Sequence, residues 1–380
     1  MYEMKTVFAK AAIYIMKGLL NVIYGLMKLF PVNNRKVIFC SRQSDEVPLD
    51  FIMIQKYLER KDIQYVNVCC RVGNGIGQYI HFLKATLQSM YHLATGKVCI
   101  LDSYWPAVSL LKHKSQLKVI QIWHAIGKIK QSGYQTLDKK SGRKKEYALL
   151  LGMHRNYEYV IAGAPFWNKY YCEAFNITED KILNFGLPRI DYLINTEKRN
   201  KEKFFGENPD LERKRIILYA PTFRKNMKSN WEDIIDEVKD DGYVLIIKKH
   251  PGEKSKVQAH VPNVYYFDNW RTLDLIAVCD FFITDYSAMA LEAAVLDKKT
   301  YYWTYDYDKY VKNNGLNLDM KKEIGEYVFD DIKALMAELK TGGYEEKFMK
   351  SYREKYLPED LGKSTEKIGC LIMEILKQGR

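Results

Sequence analysis

The sequence has little of what builds covalent or metal-bound frameworks. Its seven cysteines are an odd number, include no C-x-x-C pair and lie mostly in apolar runs, which favours buried thiols in a reducing compartment over a disulfide or zinc framework. It has no internal repeat and no G-x-G-x-x-G motif, because the glycines at 73, 75 and 77 are spaced differently. Near the N-terminus the longest uncharged run is Gly18–Met27, half of the roughly 20 residues that a spanning helix needs.

The composition is that of a globular protein with a basic balance. Of 380 residues, 47% are hydrophobic and 28% are charged, which excludes a disordered or collagenous chain, and the length suggests about two to three domains. Lys and Arg number 59 against 47 Asp and Glu, a formal net charge of +12. This excess indicates a phosphate-bearing partner: nucleic acid, an anionic membrane surface or a nucleotide-linked substrate.

Residues 7–30 are the most apolar stretch of the chain. On a helix, Lys10, Lys17, Asn21 and Lys28 fall on one stripe, and the other faces are apolar. This pattern predicts an amphipathic helix over residues 1–31 that lies in the headgroup plane of a membrane. The alternative is a helix packed on the protein's own core or on another protomer.

Past this segment, short β-rich runs alternate with helical patterns, which predicts two doubly wound parallel α/β domains. We expect domains over 32–200 and 201–360, a charged linker at Glu197–Arg215, and a helix at 361–378 within a C-terminal segment 361–380. The predicted strands are Val37–Cys40, Tyr65–Cys70, Val98–Leu101, Val119–Ile122, Tyr159–Ala162, Ile216–Tyr219, Tyr243–Ile247, Val264–Phe267, Phe281–Thr284 and Thr300–Trp303.

Ligands of doubly wound sheets bind beyond the carboxyl ends of the strands. The residues that follow the predicted strands there are Ser41, Arg42, Asp102, His124, Gly163, Thr222, Arg224, His250, Asp268, Asp285 and Ser287.

His124 is the candidate general base of the first domain. It directly follows a predicted strand in the segment IQIWHAIGKIKQSG, where Lys128 and Lys130 add positive charge. A histidine at a strand end can accept a proton near neutral pH. A structural histidine, hydrogen-bonded within its loop, is the equally weighted alternative.

The second domain offers cationic loops and a helix start. Arg224 has a planar fork suited to phosphate, and the run IIKKHP brings Lys248 and His250 to a strand end. Ser287 is a natural N-cap whose helix could hold an anion. The alternatives are a solvated basic loop and plain capping. Asp306-Tyr-Asp308 is interpreted as part of an aromatic structural or substrate-edge loop and not as a metal site.

Five motifs in order resemble the CDP-glycerol glycerophosphotransferase family of wall teichoic acid synthesis. They are W-H-A-x-G-x-x-K (Trp123–Lys130), Y-A-P-T-F-R (Tyr219–Arg224), K-H-P (Lys249–Pro251), T-D-Y-S (Thr284–Ser287) and Y-D-Y-D-x-Y (Tyr305–Tyr310). The resemblance implies two Rossmann-like domains of the glycosyltransferase-B type, with the C-terminal helix of segment 361–380 packing back on the first domain.

The resemblance also implies roles for single residues. His124 would deprotonate the acceptor hydroxyl, and His250 would be a second essential histidine at the donor pyrophosphate. The residues predicted to bind the donor are Arg224, Lys248, Thr222, Asp285, Ser287 and Glu292. Those predicted on the acceptor side are Lys128, Lys130, Arg42 and Asp102.

The H-A-x-G form and the short N-terminal half are more similar to primase-type members of the family, which add a single polyol phosphate, than to its long polymerases. The chain has His-Ala-Ile-Gly where polymerases tend to have His-Gly-Thr-Pro, and Ala288 where a second Ser often follows. The expected donor is a CDP-polyol, with glycerol first and ribitol or a capsule pathway as alternatives. CMP would be released and the acceptor would be an undecaprenyl-linked glycan at the cytoplasmic face of a bacterial membrane. No metal or cofactor is expected, and the oligomeric state is left open.

Two other functional classes share some of these features. A nucleotide-sugar glycosyltransferase of the same fold usually needs a Glu at the donor ribose, and only Glu292 is placed for that. A non-enzymatic nucleic-acid-binding protein would explain the net charge. The sequence has no recognition-helix, RNP or zinc-finger signature, so we expect no nucleic-acid partner.

Overall fold

The computed structural model describes residues 2–73, 75–222, 224, 230–238, 242–249 and 261–378. The chain divides into two compact units. The first comprises Met1–Ala125, Gln131–Arg189 and Gly362–Arg380, and the second comprises Ile126–Lys130 and Ile190–Leu361. Each unit contains one six-stranded parallel sheet, so the α/β prediction is confirmed.

The two sheets have the same kind of strand order. The first has the order β2-β1-β3-β4-β5-β6 and the second β12-β11-β10-β7-β8-β9. The strands are β1 (Lys36–Ser41), β2 (Gln64–Cys69), β3 (Val98–Leu101), β4 (Lys118–Gln121), β5 (Tyr159–Ile161), β6 (Ile182–Leu183), β7 (Arg215–Tyr219), β8 (Tyr243–Ile247), β9 (Val264–Tyr265), β10 (Phe281–Thr284), β11 (Lys299–Trp303) and β12 (Val328–Phe329).

Helices connect the strands and include the C-terminal one, which packs on α2 of the first unit. They are α1 (Tyr2–Met27), α2 (Leu49–Glu59), α3 (Ile76–Thr95), α4 (Pro106–Leu110), α5 (Lys145–Leu150), α6 (Asn168–Phe175), α7 (Pro188–Glu207), α8 (Trp231–Val238), α9 (Thr272–Val278), α10 (Met289–Val295), α11 (Tyr307–Asn314), α12 (Met320–Glu323), α13 (Ile332–Thr341), α14 (Glu346–Tyr356) and α15 (Ser364–Lys377).

Each sheet has a point at which the strand order reverses. In the first sheet it lies between β1 and β3, where Phe39 pairs with Ile100. In the second it lies between β7 and β10, where Leu218 pairs with Phe282. Neighbouring connections leave such a point in opposite directions, which opens a crevice beyond the carboxyl ends of the two strands. Each unit therefore has its own preformed place for a ligand.

The predicted linker at Glu197–Arg215 is wrong for most of its length, since α7 continues to Glu207. Lysine and glutamate four residues apart support the helix, with Lys201 Nζ 2.6 Å from Glu197 Oε1 and Lys198 Nζ 3.8 Å from Glu202 Oε1. Such pairs stabilise an exposed helix by a few tenths of a kcal/mol each. A run of charge here marks a solvated helix face.

Helix α1 is attached to the first unit by its polar side. Lys10 Nζ lies 2.7 Å from Glu146 Oε2, Asn21 Nδ2 lies 3.4 Å from the carbonyl oxygen of Leu110, and the buried Tyr24 hydroxyl lies 2.8 Å from His113 Nδ1. The apolar side is exposed instead; its members include Phe8, Ile15, Leu19, Val22 and Leu26. By length and composition alone, Lys10–Met27 could also cross a membrane.

Candidate active site

The His124 imidazole is held in one orientation in the loop after β4. Its Nδ1 lies 3.0 Å from the backbone carbonyl oxygen of Asp102 and 3.2 Å from Gln43 Nε2. The carbonyl oxygen can only accept and the amide nitrogen can only donate, so Nδ1 bonds one of them in each tautomer. The tautomer that donates to Asp102 leaves Nε2 as the basic nitrogen. Trp123, whose φ of 58° is unusual for a large residue, packs against the imidazole with ring centroids 4.1 Å apart. These contacts hold the imidazole in one orientation.

Sequence reasoning missed an ion pair that supports this loop. Arg189 Nη1 donates to the His124 carbonyl oxygen at 3.2 Å. The same guanidinium donates through Nε to Asp50 Oδ2 at 2.9 Å, and the Arg189 backbone N–H donates to Asp50 Oδ1 at 2.8 Å. Asp50 lies in the first turn of α2 and Arg189 in the first turn of α7, 139 positions apart. Neither follows a predicted strand, so the strand-end rule could not find them.

Asp102 contacts His124 through its backbone carbonyl oxygen, while its carboxylate has other partners. The carboxylate is buried and accepts hydrogen bonds from Ser41 Oγ at 2.7 Å and Ser103 Oγ at 2.8 Å. Burial raises the pKa of Asp102 to about 6, against the opposing effect of the two hydroxyl donors. These contacts fix the carboxyl end of β3, and with it the carbonyl that orients His124.

In the second unit, Arg224 occupies the crevice between β7 and β10. Its Nη1 donates to Asp285 Oδ2 at 2.6 Å and to the Thr222 carbonyl oxygen at 2.8 Å, while Nε and Nη2 contact Asp306 at 2.8 and 2.9 Å. Four of the five N–H groups of the guanidinium are thereby used. The expectation of an open phosphate ligand does not fit this geometry, because two carboxylates already neutralise the charge.

Three tyrosine rings surround the same guanidinium. The Cζ atom of Arg224 lies 5.4, 4.9 and 5.7 Å from the ring centroids of Tyr286, Tyr305 and Tyr310, and Tyr286 and Tyr310 stack at 3.8 Å. The Tyr286 hydroxyl donates to Asp306 Oδ1 at 2.9 Å. Through these contacts the Asp306 loop forms one wall of the crevice.

Lys130, which is expected on the acceptor side, lies in the second unit. Its Nζ donates to Thr222 Oγ1 at 3.0 Å. Burial lowers the pKa of Lys130 to about 8, opposed by the negative charge of Asp285 and aided by the positive charge of Arg224. The physical reason for the placement is that Ile126–Lys130 pairs with residues of this unit, as in the Lys130–Leu316 bridge.

Lys128, which is also expected on the acceptor side, lies in the same segment. Its backbone carbonyl oxygen accepts from Asn317 Nδ2 at 2.7 Å, and the side chain is buried. Burial lowers the pKa of Lys128 to about 7, so this amine is largely uncharged above neutral pH.

The remaining predicted donor residues lie in the second unit. Lys248 follows β8 and donates to the carbonyl oxygens of Phe267 and Asp268 at 3.0 and 3.3 Å. The prediction of Ser287 as N-cap is wrong, since Ala288 is the N-cap of the seven-residue helix α10; Ser287 Oγ accepts from the Met289 N–H at 3.3 Å. Glu292 is buried on α10. His250 lies outside the described residues.

One group of three side chains with metal-binding atoms is found in the part of the chain that the structure describes. Asp45, Cys70 and His81 place their ligand atoms within 4.8 Å of one another, although the spacing of the histidines suggested no such group. Burial, aided by Asp45, raises the pKa of Cys70, and Asp45 accepts from the Arg71 N–H. A protonated thiol and an engaged carboxylate are poor metal ligands.

Known proteins resemble this chain in sequence and in fold. The family model for CDP-glycerol:poly(glycerophosphate) glycerophosphotransferase matches residues 22–374. The chain belongs to this family. Two relatives from Bacillus match most of the sequence. It is 27% identical to the teichoic acid ribitol-phosphate primase of Bacillus spizizenii strain W23 over 96% of this chain and 98% of that one. It is 31% identical to the teichoic acid glycerol-phosphate primase of Bacillus subtilis strain 168 over 69% of this chain and 68% of that one.

The fold of this glycerophosphotransferase-family chain also has a solved counterpart. The wall teichoic acid polymerase TagF superposes with a TM-score of 0.76 over 99% of this chain and 98% of that one, at 18% identity. The expected two-domain fold is thereby confirmed. The protein is a teichoic acid glycerol- or ribitol-phosphate transferase by family, and the comparisons leave its polyol open.

Proposed function

We propose that the protein is a polyol-phosphate primase that transfers one glycerol phosphate from CDP-glycerol to a hydroxyl of a lipid-linked glycan and releases CMP. The observation that carries this proposal is the oriented His124 imidazole, whose Nδ1 is bonded to the Asp102 carbonyl oxygen, in a chain matched by the family model over residues 22–374.

In the proposed reaction, Nε2 of His124 takes the proton from the acceptor hydroxyl as its oxygen attacks the phosphorus that carries the glycerol. A new P–O bond forms, the bond from that phosphorus to the bridging oxygen of the diphosphate breaks, and CMP leaves with the electron pair. Phosphoryl transfer of this kind needs positioning and charge neutralisation above all. His250 stays a prediction as the second histidine, at the donor diphosphate.

The donor would bind in the crevice of the second unit, with Lys130 and Lys248 as its cations. Arg224 would act as a positioning residue, since its donors are engaged by Asp285 and Asp306. The Thr222 hydroxyl, held by Lys130, and Asp285 complete the wall, and we retain Ser287 and Glu292 as donor-side residues. Lys130 follows the proposed base, His124, by six positions in the chain.

Lys130 gives this proposal a pH signature. A lysine with a pKa of about 8 is charged below that pH and loses its charge as the pH rises through it. Its charged fraction falls from about 90% at pH 7 to about 10% at pH 9, so we expect the KM for the CDP-polyol to rise about tenfold. The donor diphosphate does not titrate in this range. Lys130→Arg should abolish the rise, because a guanidinium stays charged; an unchanged profile in this variant would assign the dependence to another group.

The choice of glycerol over ribitol rests on the 31% identity to a glycerol-phosphate primase. Ribitol is the second candidate, because the ribitol-phosphate primase matches nearly end to end. Addition of a single unit is supported by the two primases among the relatives, one of which is matched over 98% of its own length. Offering each CDP-polyol with a synthetic undecaprenyl-type acceptor, and measuring CMP release and product length, tests all three points. CMP release from neither donor would refute the proposed function.

We propose that the protein binds the cytoplasmic face of the membrane and that the exposed apolar side of α1 makes the contact. Helix α3 packs beside α1 and extends the surface, with Phe30 and Tyr91 in ring contact at 5.8 Å. The exposed apolar residues of α3 are Ile76, Tyr79, Ile80, Leu83, Leu87 and Tyr91. An apolar surface on two adjacent helices is typical of a membrane or partner interface.

Charges on this surface should prevent membrane binding without unfolding the protein. Leu19 and Val22 are 59% and 66% exposed, so Leu19→Glu/Val22→Glu removes few internal contacts. We expect cosedimentation with vesicles containing anionic phospholipid to fall at least about tenfold, because each carboxylate would have to enter the apolar layer. Val311→Glu, at an exposed position of the second unit, is the matched control. Equal sedimentation of all three proteins would contradict the assignment.

A further inference from the structure

A cavity beside His124 contains two arginines that the proposed chemistry has not used. It has a volume of about 230 Å³ and lies entirely in the first unit. Its lining includes Arg42, Tyr104, Arg143 and His154, together with Gln43 and Trp123. The last two both contact the His124 imidazole. The cavity therefore opens next to the proposed base.

Its position follows from the topology of the first sheet. Arg42 directly follows β1 and Tyr104 lies three residues beyond β3, so both stand at the carboxyl edge where the strand order reverses. The residue after β1 is fixed there by its backbone N–H, which donates to Ser103 Oγ at 3.0 Å. This is the crevice that binds ligands in doubly wound sheets.

The two guanidinium groups share one aromatic platform. Their Cζ atoms lie 5.3 Å (Arg42) and 5.2 Å (Arg143) from the ring centroid of Tyr104. That ring is almost fully buried and is packed against Ala148 and Met153, which fixes the platform. Two positive charges held so close repel each other, and the repulsion contributes to lowering the pKa of Arg42, after burial.

The charges of these arginines are left open toward the cavity. Arg42 Nε is buried and, among the described residues, has no hydrogen-bond partner. The structure gives neither guanidinium an ion pair with a described carboxylate. Asp102 is the acidic group that acts on Arg42, and its oxygens accept from Ser41 and Ser103. Arg224, by contrast, is saturated by two carboxylates.

We infer that this cavity binds a phosphate group of the acceptor substrate. Paired guanidinium groups recognise phosphate oxygens by charge-assisted hydrogen bonds. A volume of about 230 Å³ lies below the roughly 300–1,000 Å³ of sites for whole small molecules, and so suits a single phosphate or phosphodiester better than a nucleotide. The inference rests on the proposed function, and it assigns Arg42, Arg143 and Tyr104 to acceptor recognition.

The phosphate has two chemical sources in such an acceptor. It can be the diphosphate that joins glycan to lipid, or a phosphodiester of a polyol unit already attached near the reacting hydroxyl. Three synthetic acceptors separate them: one with the diphosphate only, one with a terminal polyol phosphodiester on a neutral aglycone, and the same glycan without phosphate.

Arg143→Gln is the main variant, because Arg143 is exposed and its replacement should not prevent folding. At saturating donor, we expect its KM to rise about 10- to 100-fold for whichever phosphate-bearing acceptor the wild type prefers, the range for loss of a charged hydrogen bond. The KM for the neutral glycan and for the CDP-polyol should stay unchanged. Arg60→Gln, at an exposed arginine of the same unit, should behave as wild type.

A binding measurement keeps this inference separate from the proposed function. Calorimetry with inorganic pyrophosphate, in the presence of saturating CMP, should show a site that Arg143→Gln weakens at least about tenfold and Arg60→Gln does not. If the wild type transfers polyol phosphate but Arg143→Gln keeps the wild-type preference for phosphate-bearing acceptors, the inference is wrong and the function stands. If no acceptor supports CMP release, the function fails, and the calorimetry alone decides whether the anion site exists.

Discussion

Replacing His124 by alanine should lower kcat for polyol-phosphate transfer by about 10²- to 10⁴-fold, the usual effect of removing a general base. The imidazole is bonded through Nδ1 to the Asp102 carbonyl oxygen, so its loss removes the only atom that we assign to the acceptor proton. The KM for the CDP-polyol should change little, since the donor is proposed to bind in the other unit. Stopped assays of CMP release with saturating acceptor measure both constants.

Controls for this result follow from the same geometry. The His124 side chain has a hydrogen-bonded, not a core, environment, so circular dichroism and thermal melting of His124→Ala should match the wild type. His81→Ala removes an exposed histidine of the same unit and should keep full activity. Added imidazole should restore part of the rate of His124→Ala. Turnover near the wild-type value without imidazole would show that another group accepts the proton.

Replacing Arg224 by methionine should lower the free energy of unfolding by about 3–5 kcal/mol, the effect of leaving buried charges without their partner. The side chains of Arg224, Asp285 and Asp306 are 7%, 2% and 8% exposed, so water cannot replace the lost contacts. The cation also holds the pKa of Asp306 below its usual range, against the opposing effect of burial. Urea unfolding followed by fluorescence measures the loss.

The free energy of unfolding of two further variants can be compared with that of Arg224→Met. Lys321→Met removes the exposed pair with Asp330, whose side chains are 49% and 59% exposed, and should cost less than about 1 kcal/mol. Arg224→Met combined with Asp285→Asn and Asp306→Asn should be more stable than Arg224→Met alone, because no uncompensated carboxylate remains. An equal loss for Arg224→Met and Lys321→Met would mean that the buried network contributes nothing special.

The strands that carry the site could be predicted from the sequence because they are buried on both faces. Val98–Leu101, Tyr243–Ile247 and Phe281–Thr284 are correct to the residue, since continuous Val, Ile and Phe runs are typical of parallel sheets. β6 and β12 are two residues each, too short for any pattern. The long helix α7 was missed because its charge resembled a linker.

Site residues could be predicted from the sequence only where they directly follow a strand, because the strand then fixes where they lie. His124 and Asp285 follow strands, and the strand-end rule found both. The carboxylates that engage Arg224 lie 61 and 82 positions away from it, and no local pattern connects them. The same limit explains Lys130: its sequence neighbour is His124, while its hydrogen-bond partner Thr222 is 92 positions away.

Helix α1 is attached to the first unit by its polar side and exposes its apolar side, which has a kinetic consequence. Lys10, Asn21 and Tyr24 fix the helix to the first unit. Because the helix is not joined by a flexible linker, the first unit would keep one orientation on a lipid surface. An enzyme restricted in this way searches for its acceptor in two dimensions. Its velocity would then follow the number of acceptor molecules per area of lipid, and diluting the suspension with buffer would leave that number unchanged.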